Sequence, residues 1–518
     1  MLRICLLVIV LLASGSAVAD TGHDMYACDG PVESDAWRDW DDWGRRYARE
    51  GLVEKRLLEQ KDSFALYDLE ITFHNLLSMA ARCKRRDRLI AFAEDWGRVY
   101  LALDTVTPVH DSTPPPSEPR GLPAASGSKA WLCRSGGRCR AVSKGQDVES
   151  KLASAQGLGL FAHLAATLAP MSPSTNADAD AFIADTAEVG LYTLDRWATE
   201  QERERWREAR TIEAAALRDK GTRWFFTDID LWQIGIHADL ASALANRPAL
   251  LQQARVRHGE YLGAKARLEE LLAFFNSRIL RAEATLPDGT KVATADIDHG
   301  YWRFYRDNRY AGYAGAAPPA TCQKNGHILE PRLNVRPENI DPVEGLGWDL
   351  SHARRLVHVI ESLDRNREAM RTVYGLDEGA LPQPDLARRF AGQLLARTWN
   401  GDASQPLFTN WLSGANGWYR VAYNDGQRCA EGYPPYGLTF AFPTGGYIVW
   451  ARYYPLYQTL GATLYEAALA QKGPKASFIE THYPALSNMR GVPRTTRERT
   501  ARMMFLPSLV AASAHDDH

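Results

Sequence analysis

FALYDLEITFHNLLSMAARC, residues 64–83, decides the fold class. Its apolar and small side chains recur on nearly every face of a helix instead of along one stripe. A helix of that kind offers water no face and has to be enclosed by other elements. Residues 152–169 (LASAQGLGLFAHLAATLA), 229–245 (IDLWQIGIHADLASALA) and 447–470 read the same way. Beside and between them stand segments with charge on one side and apolar residues on the other: 37–60, 86–103, 181–220 with its TEQERERWREAR run, 260–281 and 385–397. These are helices with one wet face. Enclosed helices alternating with half-wet ones are what two concentric layers of helical hairpins require. The expectation is therefore a mainly α chain forming an α/α toroid, a complete or incomplete double ring, over residues 20–471.

Three stretches break the helical pattern. Residues 107–129 (TPVHDSTPPPSEPRGLPAASGSK) are rich in Pro, Ser and Gly and read as a surface loop, leading into a hairpin over 131–142 closed by Cys133 and Cys139. Residues 284–342 open with ATLPDGTKVATADI, a strand–turn–strand with Asp288-Gly289 at the turn. Residues 407–446 are dense in Gly, Pro and aromatics, the composition of a binding loop carried by a rigid scaffold. Residues 472–518 form a C-terminal extension whose apolar part is too short to span a membrane.

The first residues carry Arg3, an apolar run and Ala17-Val18-Ala19. That is the pattern of a signal peptide over 1–19, so export to a periplasmic or extracellular location is expected. The apolar run falls far short of the ~20 residues of a spanning helix, and no stable membrane insertion is expected. Of the 7 cysteines, Cys5 lies in the leader. The even remainder in an oxidising compartment predicts three disulfides. Cys133 with Cys139 is local. The other four allow three pairings, of which Cys28 with Cys83 and Cys322 with Cys429 is the one expected.

With 61 basic and 63 acidic residues, net −2, the chain shows no electrostatic footprint for nucleic acid. No P-loop, dinucleotide fingerprint, G-x-S-x-G elbow, H-E-x-x-H motif or second cysteine pair at metal spacing occurs. Neither a cofactor nor a metal is expected, and the chemistry falls to side chains alone.

Three clusters could carry it. DIDHGYWRFYRDNRYAGY, residues 296–313, gathers Asp296, Asp298, His299, Tyr301, Trp302, Arg303, Tyr305 and Arg306, a set able to move protons beside an anionic or hydroxyl-rich ligand. GLGWDLSHARRLVHVIESLDRN, residues 345–366, places Asp349 inside the apolar arc of its helix, with His352 near the edge of the same face and Trp348 and Arg355 close by. An inward acid there is either an N-cap or part of a site at the mouth of the toroid. Asp228 and Asp230 open a wholly enclosed helix, where Asp228 reads as an N-cap; His237 and His74-Asn75 read first as satisfied core residues.

The helix alternation resembles that of the α/α-toroid glycoside hydrolases and polysaccharide lyases, and His299-Gly300-Tyr301-Trp302 is similar to the end of the Asn-Asn-His-x-Tyr-Trp motif of toroid alginate lyases. In that motif the histidine assists β-elimination together with a tyrosine and an arginine. Here Ile297 and Asp298 stand where the lyases carry asparagines, and an aspartate would repel a uronate. The resemblance therefore implies an exported carbohydrate-active enzyme acting on a polysaccharide. Hydrolysis would use a carboxylate pair, Asp349 with Asp298, Asp296 or Asp230, the acid's pKa being raised by apolar surroundings. The alternatives are a lyase using Tyr301 or His299 as base with Arg303 or Arg306 on the uronate, and a non-catalytic polysaccharide-binding or export-assembly protein. Trp302, Tyr305, Trp348, Trp418, Tyr419, Tyr433 and Tyr436 would stack on sugar rings.

Overall fold

The computed structural model describes residues 25–105, 128–143, 148–171, 176–213, 224–297, 314, 318, 320–325, 328–333, 345–421, 423–424, 429–491 and 493–510. The fold is mainly helical with a few short antiparallel strands. Five long helices pack against one another at its centre: α1 (Phe64–Arg82), α2 (Lys151–Leu168), α3 (Asp228–Ala245), α4 (Leu350–Arg365) and α5 (Thr496–Leu509).

Each of α2 to α5 starts where a short polar side chain can satisfy a backbone N–H that the helix leaves open. Ser150 accepts from Ala153 N, and Asp349 accepts from His352 N. Thr227 with Asp230 and Thr495 with Glu498 form reciprocal capping boxes. Asp228 is thus the first residue of α3 and Thr227 is its cap, which corrects the assignment of Asp228 as cap.

Enclosure follows the sequence pattern. In α2 and α3 nearly every residue is buried, whereas the helix Glu200–Ala209 buries only Arg205, Trp206 and Ala209. Helix α1 packs on α2, α2 on α3 and α3 on α4, while α5 packs back on α1. Glycines set these approaches. A Cβ on Gly157 would lie 2.8 Å from Leu66 and one on Gly235 3.0 Å from Val359, and one on Gly159 would enter the Trp232 indole.

The helices α1 to α4 run in the same direction. Near their starts Arg355 of α4 meets Tyr67 of α1, Gln156 of α2 and Asp228 of α3. His74 and His163 meet about two turns beyond Tyr67 and Gln156, where His74 also stacks on His358, about one turn beyond Arg355, and Asp239 then meets Asn366 just beyond the end of α4. Helix α5, beyond residue 471, belongs to this same core. Asn75 donates to Met504 O at 2.8 Å, Arg82 donates to Val510 O at 3.3 Å, and Leu506 and Leu509 of α5 are enclosed.

Among the described residues four small antiparallel sheets decorate the helices: β1 (Leu103–Thr105), β2 (Lys129–Cys133) and β3 (Val148–Glu149) in one; β4 (Ile279–Thr285) with β5 (Lys291–Ile297); β6 (Ala320–Asn325) with β7 (Ile328–Leu333); and β8 (Tyr423–Asn424) with β9 (Cys429–Ala430). The β4–β5 hairpin turns at Gly289, φ 89°, as its Asp-Gly predicts.

Disulfides join Cys28–Cys83, Cys133–Cys139 and Cys322–Cys429. The segment around Cys133 and Cys139 is not a hairpin, however. Strand β2 runs into a short helix, Gly137–Ser143, because its edges pair with β1 and β3 while Arg134 N and Ser135 Oγ bond back to Lys61 O and Gln60 O. The single helix expected over 447–470 is broken as well. A 3₁₀ turn, Tyr447–Arg452, precedes Leu456–Leu469, since Pro455 has no N–H to continue the ladder. Among the described residues no helix is long and apolar enough to cross a membrane.

Candidate functional site

The shared N-terminal end of α1 to α4 gathers the groups with chemical potential. Asp349 is fully enclosed. Its backbone is clamped by the aromatic loop, through Leu350 N to Asn410 O at 2.8 Å and Leu412 N to Trp348 O at 2.9 Å. Its Oδ1 accepts from Ser351 Oγ at 2.5 Å and from His352 N at 3.2 Å, and Oδ2 lies 2.5 Å from His352 Nδ1.

Burial alone would raise this carboxyl. The His352 ring, the positive charge of Arg420 and the Ser351 hydroxyl outweigh it and hold the pKa down at about 2. Asp349 is therefore held as the carboxylate, the form that the base or nucleophile of a carboxylate pair takes. Burial pushes His352 the other way, to a lowered pKa that Asp349 only partly restores, with Arg355 adding to the lowering and Asp228 opposing it. The imidazole is neutral at pH 7, its proton assigned to Nδ1 facing Asp349 and its lone pair to Nε2.

Arg355, three residues further along α4, is buried with a carboxylate as counter-ion: its Nη1 lies 3.5 Å from Asp228 Oδ2, and Nη2 lies 3.4 Å from both the Tyr67 hydroxyl and Gln156 Oε1. Tyr67 is half-buried and sits between two cations, its ring 5.9 Å from the Arg355 guanidinium and 5.2 Å from that of Arg138. Sequence reasoning passed over Tyr67. The available signal was a hydroxyl-bearing ring beside Asp68 in the first turn of an otherwise enclosed helix.

Arg354, adjacent to Arg355, serves a second anion deeper in. It donates to both oxygens of Glu70, at 3.3 and 2.9 Å, and Gln156 adds a bond at 3.0 Å. Burial opposes the Glu70 charge, but Arg354 and His74 overcome it and set its pKa well below the usual range. His74 meets His163 at 2.9 Å, Nε2 to Nδ1, and stacks on His358 with ring centroids 3.7 Å apart.

Donor atoms of Glu70, His74 and His358 lie within 4.8 Å of one another, the spacing of a metal site. Yet Glu70 is already neutralised by Arg354, and two rings stacked at 15° cannot aim their in-plane lone pairs at one ion. Cys28, Glu33 and Cys83 are similarly close, with both sulfurs spent in a disulfide. Burial drives His163 and His358 far below the ordinary histidine range, so those two rings are neutral members of an enclosed, hydrogen-bonded core.

Comparison with protein-family models, with curated proteins and with solved structures finds no match to this chain.

The other expected site residues divide sharply. Asp230 is used up structurally, capping Thr227 and pairing with Arg205 and Trp206 at the interface with the Glu200–Ala209 helix. Trp348 and Tyr419 are core residues: Trp348 stacks on Phe226, and Tyr419 meets Trp411 edge-on, so neither presents a face to a sugar. Trp418 is 7% exposed and is excluded on the same ground. Tyr433 and Tyr436 are half-exposed on the aromatic loop.

Asp296 is buried near the end of β5, its Oδ1 accepting from Ile297 N at 2.7 Å. His237 is a core histidine held by Gln233 O and the Tyr261 hydroxyl, both at 2.6 Å. Asp298, His299, Tyr301, Trp302, Arg303, Tyr305 and Arg306 lie outside the described residues. A surface recess of about 290 Å³ between residues 468 and 491 is lined by none of the candidates.

Proposed function

We propose that this chain is an exported carbohydrate-active enzyme that cleaves glycosidic bonds of an extracellular or cell-envelope polysaccharide, acting at the N-terminal end of α1 to α4. The observation that carries the reading is the buried Asp349–His352 pair set beside Arg355 and Tyr67. A carboxylate that orients a neutral imidazole makes that ring a general base at neutral pH. The Tyr67 phenol and the Arg355 guanidinium, 3.4 Å from each other, add a proton donor and an anion-binding group.

These groups favour β-elimination over carboxylate-pair hydrolysis. His352 Nε2 would take the proton α to a uronate carboxyl held near Arg355. The C–H electrons would form the new double bond as the C–O bond breaks, and Tyr67 would give its proton to the departing oxygen. Hydrolysis would need a second carboxyl as acid beside the ionised Asp349; Asp230 is engaged by Arg205 and Thr227, and Asp298 lies outside the described residues.

An α/α toroid is the architecture we propose around the site. Its support is the order of packing, α1 to α4 in succession with α5 returning to α1, and the common direction of α1 to α4. The leader pattern and the three disulfides support export.

The test is a screen of the mature protein on neutral and acidic polysaccharides, reading reducing ends and ultraviolet absorbance together. Both signals on a uronate polymer, lost in His352→Gln and Tyr67→Phe, are the expected result. Reducing ends without absorbance would replace elimination by hydrolysis. Glycan binding with no product in either channel would leave a binding protein.

A further inference from the structure

Arg354 and Arg355 stand side by side on α4, and only the first is fully paired. Arg354 donates to both oxygens of Glu70, at 3.3 and 2.9 Å. The Arg355 side chain is 1% exposed, yet among the described residues its Nε and Nη1 donate no hydrogen bond, and its Nη2 reaches Tyr67 and Gln156 only at 3.4 Å. Its counter-ion stops short as well. Asp228 Oδ2 stands 3.5 Å from Nη1, an ion pair without a hydrogen bond.

A guanidinium enclosed in that state has lost its water and regained few acceptors. An enclosed ion pair offsets its desolvation only where the hydrogen-bond geometry is good. Arg354 and Glu70 reach that geometry one residue away, so the looseness is confined to Arg355 and Asp228. Buried donors left unbonded call for an explanation, and a ligand that completes them is one. The planar carboxylate of a uronate can accept two guanidinium N–H bonds at once.

We infer that Asp228 is a specificity-determining residue: in the free protein its carboxylate holds the place of the substrate's carboxylate at Arg355, and the two are exchanged on binding. This rests on the reading that Arg355 holds a uronate carboxyl. The exchange keeps one negative charge facing the guanidinium throughout. Asp228 is the first residue of α3, where the helix end favours a negative charge, and its side chain keeps 10% exposure, so the displaced carboxylate stays stabilised and can turn to solvent. A neutral sugar brings no charge to replace it. Asp228 therefore discriminates against neutral glycans.

The probe is sodium glucuronate, with glucose and sodium chloride as controls in buffers of equal ionic strength. Calorimetric titration and melting are run on the mature wild type, on Asp228→Asn and on the double variant Asp228→Asn/Arg355→Gln. We expect glucuronate to bind Asp228→Asn about tenfold more tightly than the wild type, because the internal competitor is gone. Glucuronate should also raise the melting temperature of Asp228→Asn, whose arginine is otherwise stranded, while glucose and chloride do neither. An Asp228→Asn protein that folds only with glucuronate present is the same result. The double variant strands no charge, and it should fold and ignore glucuronate.

Three results overturn the exchange: glucuronate that binds Asp228→Asn no more tightly than the wild type, an Asp228→Asn protein that glucuronate does not stabilise, and a double variant that still responds. None of these readouts uses cleavage. The expected binding pattern with no product from any polymer would count against the enzyme reading alone, and elimination products with unaltered glucuronate binding in Asp228→Asn against the exchange alone.

Discussion

Asp349 binds His352 twice: Oδ1 accepts the His352 backbone N–H at 3.2 Å and Oδ2 lies 2.5 Å from Nδ1 of its ring. One carboxylate thereby starts the helix and selects the tautomer. Asparagine caps a helix as well as aspartate does, so Asp349→Asn separates the two roles. We expect its thermal midpoint to stay within a few degrees of the wild type while kcat/KM falls about 10²–10⁴-fold. A large loss of stability with unchanged kcat/KM in the surviving protein would reduce Asp349 to a cap.

Glu70 and Arg354 form an enclosed ion pair whose loss on one side leaves a charge without its counter-ion. Arg354→Met should destabilise by about 3–5 kcal/mol in urea unfolding. Adding Glu70→Gln in that background should recover part of the loss, because the stranded carboxylate is then neutral. No recovery would mean that the arginine acts through packing instead of charge.

The α2–α3 approach depends on the missing Cβ of Gly159, which would collide with the Trp232 ring. Gly159→Ala should cost about 1–3 kcal/mol from overpacking, against the roughly 1 kcal/mol that alanine gains in a helix interior. Gly263 has nothing within 4 Å of a Cβ, and Gly263→Ala should melt at or above the wild type. Equal melting of the two variants would contradict the close approach.

His237 carries a pH signature of its own. Burial lowers its pKa to about 4, so between about pH 6.5 and 4 the unfolded chain binds a proton that the folded one does not. This histidine therefore costs stability as pH falls through that window, by about 1.4 kcal/mol per unit. His237→Gln should gain stability relative to wild type on acidification, read as the difference between urea midpoints at pH 7 and 5. A difference independent of pH would show that the folded protein takes up the proton.

Much of the fold was legible in the sequence because enclosure leaves a periodic record. The segments around Phe73, Leu160 and Ile236 are apolar on all sides, and each became an enclosed helix. Asp349 and His352 were legible as a pair because three residues on a helix bring side chains together. The breaks were harder to read. Pro455 splits an apolar run whose composition alone suggested one helix, and the Cys133–Cys139 segment folds as strand and helix because its partners, Lys61 and Gln60, come from far away in the chain.

Local sequence by itself determined which helices are enclosed and that Cys133 and Cys139 are close enough in chain to pair. Only the tertiary structure decided that Arg355 faces Asp228, that Tyr67 lies between Arg355 and Arg138, and that Trp348 and Tyr419 are core instead of surface. The reason is that periodicity records which face of a helix is apolar and not which other face it meets. A carboxyl in an apolar arc could go either way: burial alone would have raised the Asp349 pKa, and its helix neighbour His352 together with Arg420 of the aromatic loop hold it low.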